Sequence, residues 1–153
     1  MEEKTFSVKL QLLENYLFQI DFGEFGNILA DEPEPIGDGE GPSPTGLLAA
    51  SVANCLSASL LFALRKYKQD PGDINATVTG TIARVEKYQR VTKLSVQIHL
   101  AVAGESLADL DKAVSQFENF CTVTESVRHG IPVDVEIFDN AGISVHRSAA
   151  IQA

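Results

Sequence analysis

Leu47–Leu64 (LLAASVANCLSASLLFAL) runs for eighteen residues without a charged side chain. That length is the lower edge of a membrane span, and Arg65-Lys66 would serve as its flank. Ser51, Asn54, Ser57 and Ser59 recur through the run, however, and alanines stand where a span would carry leucines. It therefore reads as the buried core helix of a soluble protein. Ser43 is the expected N-cap, with Pro44 at the first helical position, where its missing N–H costs nothing. Asp70-Pro71-Gly72 stops the helix after about Tyr67.

The remaining segments read mostly as strands. Residues 6–13 (FSVKLQLL) alternate apolar and polar, as Tyr16–Ile20 does in part. A turn at Gly23–Gly26 leads to a short strand around Asn27–Ala30. The Pro-, Gly- and acid-rich Asp31–Pro44 forms no regular element, and its acidic part, Asp31–Glu40, reads as a solvated loop. Residues 76–85 and 91–102 alternate well and pair as a hairpin across Glu86–Arg90. Gly104-Glu-Ser106 opens a second helix in which Leu107, Leu110, Val114, Phe117 and Cys121 share one face. Thr122-Val-Thr-Glu125 fits a capping box for a third, short helix that Gly130 and Pro132 close. Residues 133–138 form a last strand, with an edge strand through Ile143–His146. The pattern is α+β, in a single domain covering 1–153.

At 153 residues the chain is large enough to bury a core. Its formal charge of −9 repels phosphate backbones and anionic lipid, which excludes nucleic-acid and membrane partners. The start MEEKTFSVKL lacks the basic residues and apolar core of a signal peptide, so a cytoplasmic location is expected. In that reducing setting two cysteines are more readily redox-active, catalytic or merely buried than a permanent staple.

Cys55 and Cys121 are the only thiols. Only a thiolate is a good nucleophile, so what matters is what lowers each pKa. Cys121 precedes a helix, where unpaired N–H groups and the positive end of the dipole favour the anion. Cys55 has Ser51, Val52, Ala58 and Ser59 around it on its helix, and burial among them raises its pKa. Read from the residues alone, Cys121 is the better thiolate, and two small core residues are the alternative.

Other chemistries find little purchase. His99, His129 and His146 share no metal-ligand spacing with the cysteines, so no metal and no cofactor are expected. The serines lack a nucleophile elbow. Gly37, Gly39 and Gly41 sit in an acidic loop of the wrong charge for phosphate.

The segment DEPEPIGDGEGPSPTGLLAASVANCLSASL resembles the OsmC/Ohr family, with its Gly-rich approach, Pro-led start and helix carrying a central cysteine. CTVTESVRHGIPVDVEI is similar to the family's second element, a cysteine opening a helix that ends in Gly before a V-x-V strand. The order of elements agrees over nearly the whole chain. The resemblance implies antiparallel sheets wrapped around two central helices in an intertwined homodimer, with sites at the subunit interface. It implies a thiol-dependent peroxidase acting on organic hydroperoxides in oxidative or osmotic stress. Cys55 would then be the peroxidatic thiol and Cys121 the resolving one, the disulfide being reduced by a dithiol such as a lipoylated protein.

The chain departs from the family pattern at three points. Thr45 replaces the acidic residue after the helix-leading proline, residues 1–64 contain no arginine, and Thr122 replaces the proline after the second cysteine. A second expectation follows: a non-peroxidatic member binding a small hydrophobic ligand in the interface pocket, with Thr45, Phe62, Phe117 and Phe120 lining it.

Overall fold

The computed structural model describes residues 2–149. Its elements, in chain order, are β1 (Lys9–Glu14), β2 (Leu17–Asp21), β3 (Asn27–Ala30), α1 (Pro44–Lys66), β4 (Ile74–Val85), β5 (Tyr88–Leu100), α2 (Leu110–Val114), α3 (Thr122–His129), β6 (Val135–Phe138) and β7 (Ser144–Ser148). The expected α+β architecture with antiparallel sheets is what forms. Contacts divide the chain into two compact units: residues up to Ser51 with Thr77–Gln97, and Val52–Ala76 with Ile98 onward. The division runs through α1, β4 and β5.

In the first unit β2 is the central strand of β1-β2-β3, paired Gln11 to Gln19 on one side and Gln19 to Leu29 on the other. Asn15 makes the β1–β2 turn at φ 46°, a left-handed backbone that asparagine tolerates better than most residues. Asp31, at the end of β3, is almost completely buried. Its carboxylate accepts hydrogen bonds from the amides of Glu32 (2.8 Å), Asp38 (3.3 Å) and Glu40 (3.0 Å). The acidic loop is thus folded around one of its own acids rather than simply solvated. Gly37 lies so close to this knot that a Cβ there would overlap the Glu32 carbonyl and stand 2.5 Å from Asp31 Oδ1. The helix start is as expected: Ser43 Oγ accepts from the Gly46 amide at 3.2 Å.

The hairpin β4–β5 is longer and tighter than its sequence suggests. Only Glu86 and Lys87 separate the strands, Glu86 taking φ 56°. Gln89 and Arg90, expected in the connection, belong to β5. No residue in either strand is fully buried.

The second unit holds a core of Leu60, Ala63, Leu64, Leu107 and Ala113, with Tyr67, Ile98, Leu100, Leu110 and Phe117 packed against it. By length and composition α1 could cross a bilayer. Seven of its side chains, Val52, Ala53, Leu56, Ser59, Leu60, Ala63 and Leu64, are instead buried in this unit. Polar ties close the core's edge. Tyr67 Oη accepts from Gln116 at 3.0 Å, and Gln69 Oε1 accepts from the Ala108 amide at 3.0 Å.

The continuous second helix expected over Gly104–Cys121 is broken into three short pieces: a 3-10 turn at Gly104–Ser106, the single-turn α2, and a 3-10 turn at Phe117–Phe120. Hydroxyl groups compete for the carbonyls a helix would use. Ser106 donates to Ala103 O at 2.6 Å, and Ser115 to Lys112 O at 2.8 Å. The apolar spacing still decides burial: Leu107 and Cys121 are buried, Leu110 and Phe117 pack on the core, and only Val114 of the set faces out. The tail adds β7, which pairs with β6 through Ile137 and His146.

Candidate functional site

The two thiols meet in the second unit, at the start of α3. Cys121 is the N-cap of that helix, with extended backbone (φ −84°, ψ 92°), and its sulfur accepts from the Thr124 amide at 3.4 Å. Its carbonyl accepts from the Glu125 amide at 3.1 Å. The cap therefore falls one residue earlier than the Thr122 box implied. The Cys121 sulfur takes the amide of Thr124, three positions on, where a Thr122 cap would have taken that of Glu125. Thr124 Oγ1 lies 3.0 Å from the same sulfur. Arg128 braces the region from outside, donating to Glu118 and to Glu125, each at 2.6 Å, across the Cys121 position.

Cys55, on α1, is half-buried, while Cys121 is fully buried; both are free thiols. Cys55 lies close enough to Cys121, Val123 and Ser59 for each to act on its titration, Ser59 from one turn along its own helix. Ser59 also reaches Cys121. The first turn of α3 thus bears on both sulfurs, Thr124 through its amide to Cys121 and Val123 through its effect on Cys55.

This arrangement pushes the pKa values apart. Burial raises Cys55, the hydrogen bond to Cys121 holds its proton in place, and a Cys121 charge repels a second one; the Val123 amide and Ser59 do not reverse this. Cys121 also suffers burial, but the hydroxyl of Thr124, the Cys55 thiol, the Thr124 amide and Ser59 together outweigh it. Its pKa lies below the ordinary thiol value. Cys121 was the better thiolate on sequence grounds, and the physical reason holds with the cap moved onto the cysteine itself.

Of the residues expected to line a pocket, Phe62 and Phe120 come together, edge to face at 5.3 Å between ring centres, with Lys66 Nζ 5.8 Å from the Phe120 ring centre. Phe117 turns to the core. Thr45, in the first unit, spends its hydroxyl on Ser43 Oγ at 3.0 Å. A cavity of about 370 Å³ lies in the first unit, lined by Leu10, Phe18, Ile20, Ala30, Pro44 and Leu47 among others, and by none of those four residues. Ser59, Val123 and Thr124 were not singled out as site residues. Thr124 was legible as the third residue of the α3 cap once the cap is assigned to Cys121. Ser59 was visible as the residue one turn after Cys55.

The model for the family of OsmC-like proteins matches residues 37–136, a span that includes both cysteines. The chain belongs to the OsmC-like family. Its relatives include the peroxiredoxin OsmC of Escherichia coli K12, 25% identical over 98 residues that make up 64% of this chain and 68% of that protein. Among solved structures, it is similar to a Psychrobacter arcticus protein named for osmotic stress induction and detoxification response. That match has a TM-score of 0.67 and 25% identity, over 82% of this chain and 90% of the other. The organic hydroperoxide resistance protein OhrB of Bacillus subtilis shares the OsmC-like fold, with a TM-score of 0.59 at 16% identity over 80% of this chain and 91% of the other.

Proposed function

We propose that this OsmC-like chain is a thiol-dependent peroxidase that reduces organic hydroperoxides, with Cys55 peroxidatic and Cys121 resolving. The observation that carries the reading is a pair of free thiols brought together at the head of α3, each acting on the other's titration and driven in opposite directions, with Cys121 capping the helix through Thr124. Opposed pKa values on adjacent groups are a mark of assigned chemical roles. Cys55 is the more exposed sulfur and meets the substrate. Its sulfur attacks the peroxide O–O bond, the alcohol leaves, and Cys55 becomes a sulfenic acid. Cys121 then attacks that sulfur, forming a disulfide and releasing water. An external dithiol, such as a lipoylated protein, returns both cysteines to the thiol. The relatives named peroxiredoxin and organic hydroperoxide resistance protein support the same chemistry.

The working form in this reading is a cytoplasmic homodimer. A two-stranded ribbon is marginal in water, and β4–β5 leaves Ile82, Val85 and Tyr88 about half exposed or more. Strands of a second copy would cover such a ribbon.

Consumption of cumene hydroperoxide by the reduced protein, with a dithiol as electron donor, tests the proposal. Turnover that disappears in Cys55→Ser is expected, and a wild-type protein without dithiol-dependent turnover overturns it. The second reading, a non-peroxidatic protein binding a small apolar ligand, is favoured by the apolar cavity between β1–β3 and the start of α1. Saturable binding of an apolar fluorophore, weakened by Phe18→Glu in a protein without peroxidase activity, would establish it.

A further inference from the structure

We propose that Arg128 is a positioning residue for the resolving step: its guanidinium ties together the two chain segments that hold Cys121, and so fixes where that sulfur stands once Cys55 has been oxidised. The inference rests on the peroxidase reading and gives a role to a residue which that reading leaves out.

The tie closes on both sides of the cysteine. Arg128 donates through one arm to Glu118 Oε1 and through the other to Glu125 Oε1, each at 2.6 Å. The same two residues hold the Cys121 backbone. The Cys121 amide donates to the Glu118 carbonyl at 3.1 Å, and the Cys121 carbonyl accepts from the Glu125 amide at 3.1 Å. Arg128, Glu118, Cys121 and Glu125 therefore form one closed ring of contacts, with the cysteine buried and the arginine half-exposed. The planar fork of arginine suits such a ring, because it meets two carboxylates at once where an ammonium is a single point of charge.

A ring matters here because the chain is jointed at this point. Cys121 is the extended residue between the 3-10 turn Phe117–Phe120 and α3. A 3-10 turn has poorer hydrogen-bond geometry than an α-helix, so it is a weak anchor for the residue that follows it. The Glu125 arm stays within α3, three positions away, whereas the Glu118 arm spans ten residues and crosses the joint. Thr124 fixes the sulfur to α3, and Arg128 fixes α3 to the segment before it. An isolated exposed ion pair stabilises little, but a network of three charges on a bidentate arginine is the exception. All of these residues lie in the second unit, as does Cys55.

Resolution is the step that such a tie serves. The Cys121 sulfur bonds to the Cys55 sulfur as the S–O bond of the sulfenic acid breaks. Hydroxide leaves and, with the Cys121 proton, departs as water. The Cys121 sulfur is oxidised by one electron and the Cys55 sulfur reduced by one, so no further oxidant enters. The attacking sulfur must approach in line with the S–O bond, and holding it near that line raises the rate of an intramolecular step.

Single-turnover oxidation of the reduced protein by cumene hydroperoxide, at a fixed concentration of dimedone, partitions the Cys55 sulfenic acid between disulfide and dimedone adduct. Mass spectrometry reads both products. In Arg128→Gln and in Glu118→Gln the ratio of disulfide to adduct should fall about fivefold, while the two products together accumulate at the wild-type rate. Glu118→Gln leaves the Arg128–Glu125 pair in place, so it reads the tie across the joint even where Arg128→Gln folds poorly. The double variant should partition like either single one, because both cut the same contact. About 1 M sodium chloride should lower the ratio in the wild type and leave it unchanged in the variants. A loss of stability by itself would neither single out the second step nor answer to salt in this way. Wild-type partition in both single variants, or losses that add in the double one, overturns the positioning role and leaves the peroxidase reading standing. A wild-type protein that yields neither product overturns that reading and this role together.

Discussion

Thr124 meets the sulfur of Cys121 twice, through its hydroxyl at 3.0 Å and through its own amide at 3.4 Å. A cysteine thus performs the capping task that serine, threonine, aspartate and asparagine perform in most helices. Replacement by serine keeps an acceptor at the helix start, while alanine removes it. Cys121→Ala should be less stable than Cys121→Ser by about 1 kcal/mol, the usual worth of an N-cap. Urea unfolding of the two variants measures this directly. Equal midpoints would show that the sulfur contributes nothing to α3.

Stability should also depend on pH through this residue. The folded pKa of Cys121 is lowered, so its contribution is complete above the ordinary thiol value of 9.0 and is lost as pH falls through the folded value. Cys55 works the other way: its raised pKa favours folding below the ordinary value, and that benefit is lost as pH rises through the folded one. In Cys55→Ser only the first effect remains. Its melting temperature, measured relative to the double variant with Cys121→Ser, should therefore climb from neutral pH towards pH 9. A flat difference across that range would contradict the lowered pKa.

Asp31 organises its loop by accepting three backbone hydrogen bonds from a buried position. Asp31→Ala leaves those amides without their acceptor and should cost about 3 kcal/mol, judged from about 1–3 kcal/mol for each group left unsatisfied and partial relief by water. Thermal melting followed by far-ultraviolet circular dichroism reads the loss. Glu34→Ala in the same loop, at an exposed side chain, should change little.

Leu64 has no exposed surface and sits at the centre of the second unit's core. Leu64→Ala should destabilise by roughly 2–5 kcal/mol, the range for a leucine truncated in a packed interior. Phe62, two residues earlier on α1, is 57% exposed. Its truncation in the monomer should cost far less. A larger loss at Phe62 than at Leu64 would mean that the ring is covered in solution.

Local signals were the most legible ones. Ser43-Pro44 and Asp70-Pro71-Gly72 bracketed α1 because capping and helix breaking need only a few adjacent residues. Alternation located β1, β2, β4 and β5 to within a few residues, for the same reason. The break between Gly104 and Cys121 was hidden because the apolar spacing there suits a helix, while Ser106 and Ser115 take carbonyls through hydroxyls whose choice of partner depends on geometry. The buried Asp31 was read as solvent-facing because nothing in DEPEPIGDGEG shows that three of its amides turn inward. Within the site, the ranking of the two thiols followed from the helix start after Cys121 and the uncharged neighbours of Cys55. Ser59 was in view one turn after Cys55, whereas Val123 became visible only when α1 and α3, far apart in sequence, were brought together.

The capping sulfur also ties the redox state of the chain to backbone motion. A thiolate at the head of α3 answers the unpaired amides there; a sulfur bound to another sulfur carries no charge and answers them poorly. Oxidation should therefore loosen the first turn, and the Thr124 amide should exchange its hydrogen for deuterium faster in the oxidised chain than in the reduced one. The helix then reports electron count as solvent protection, at a residue that itself neither gains nor loses an electron.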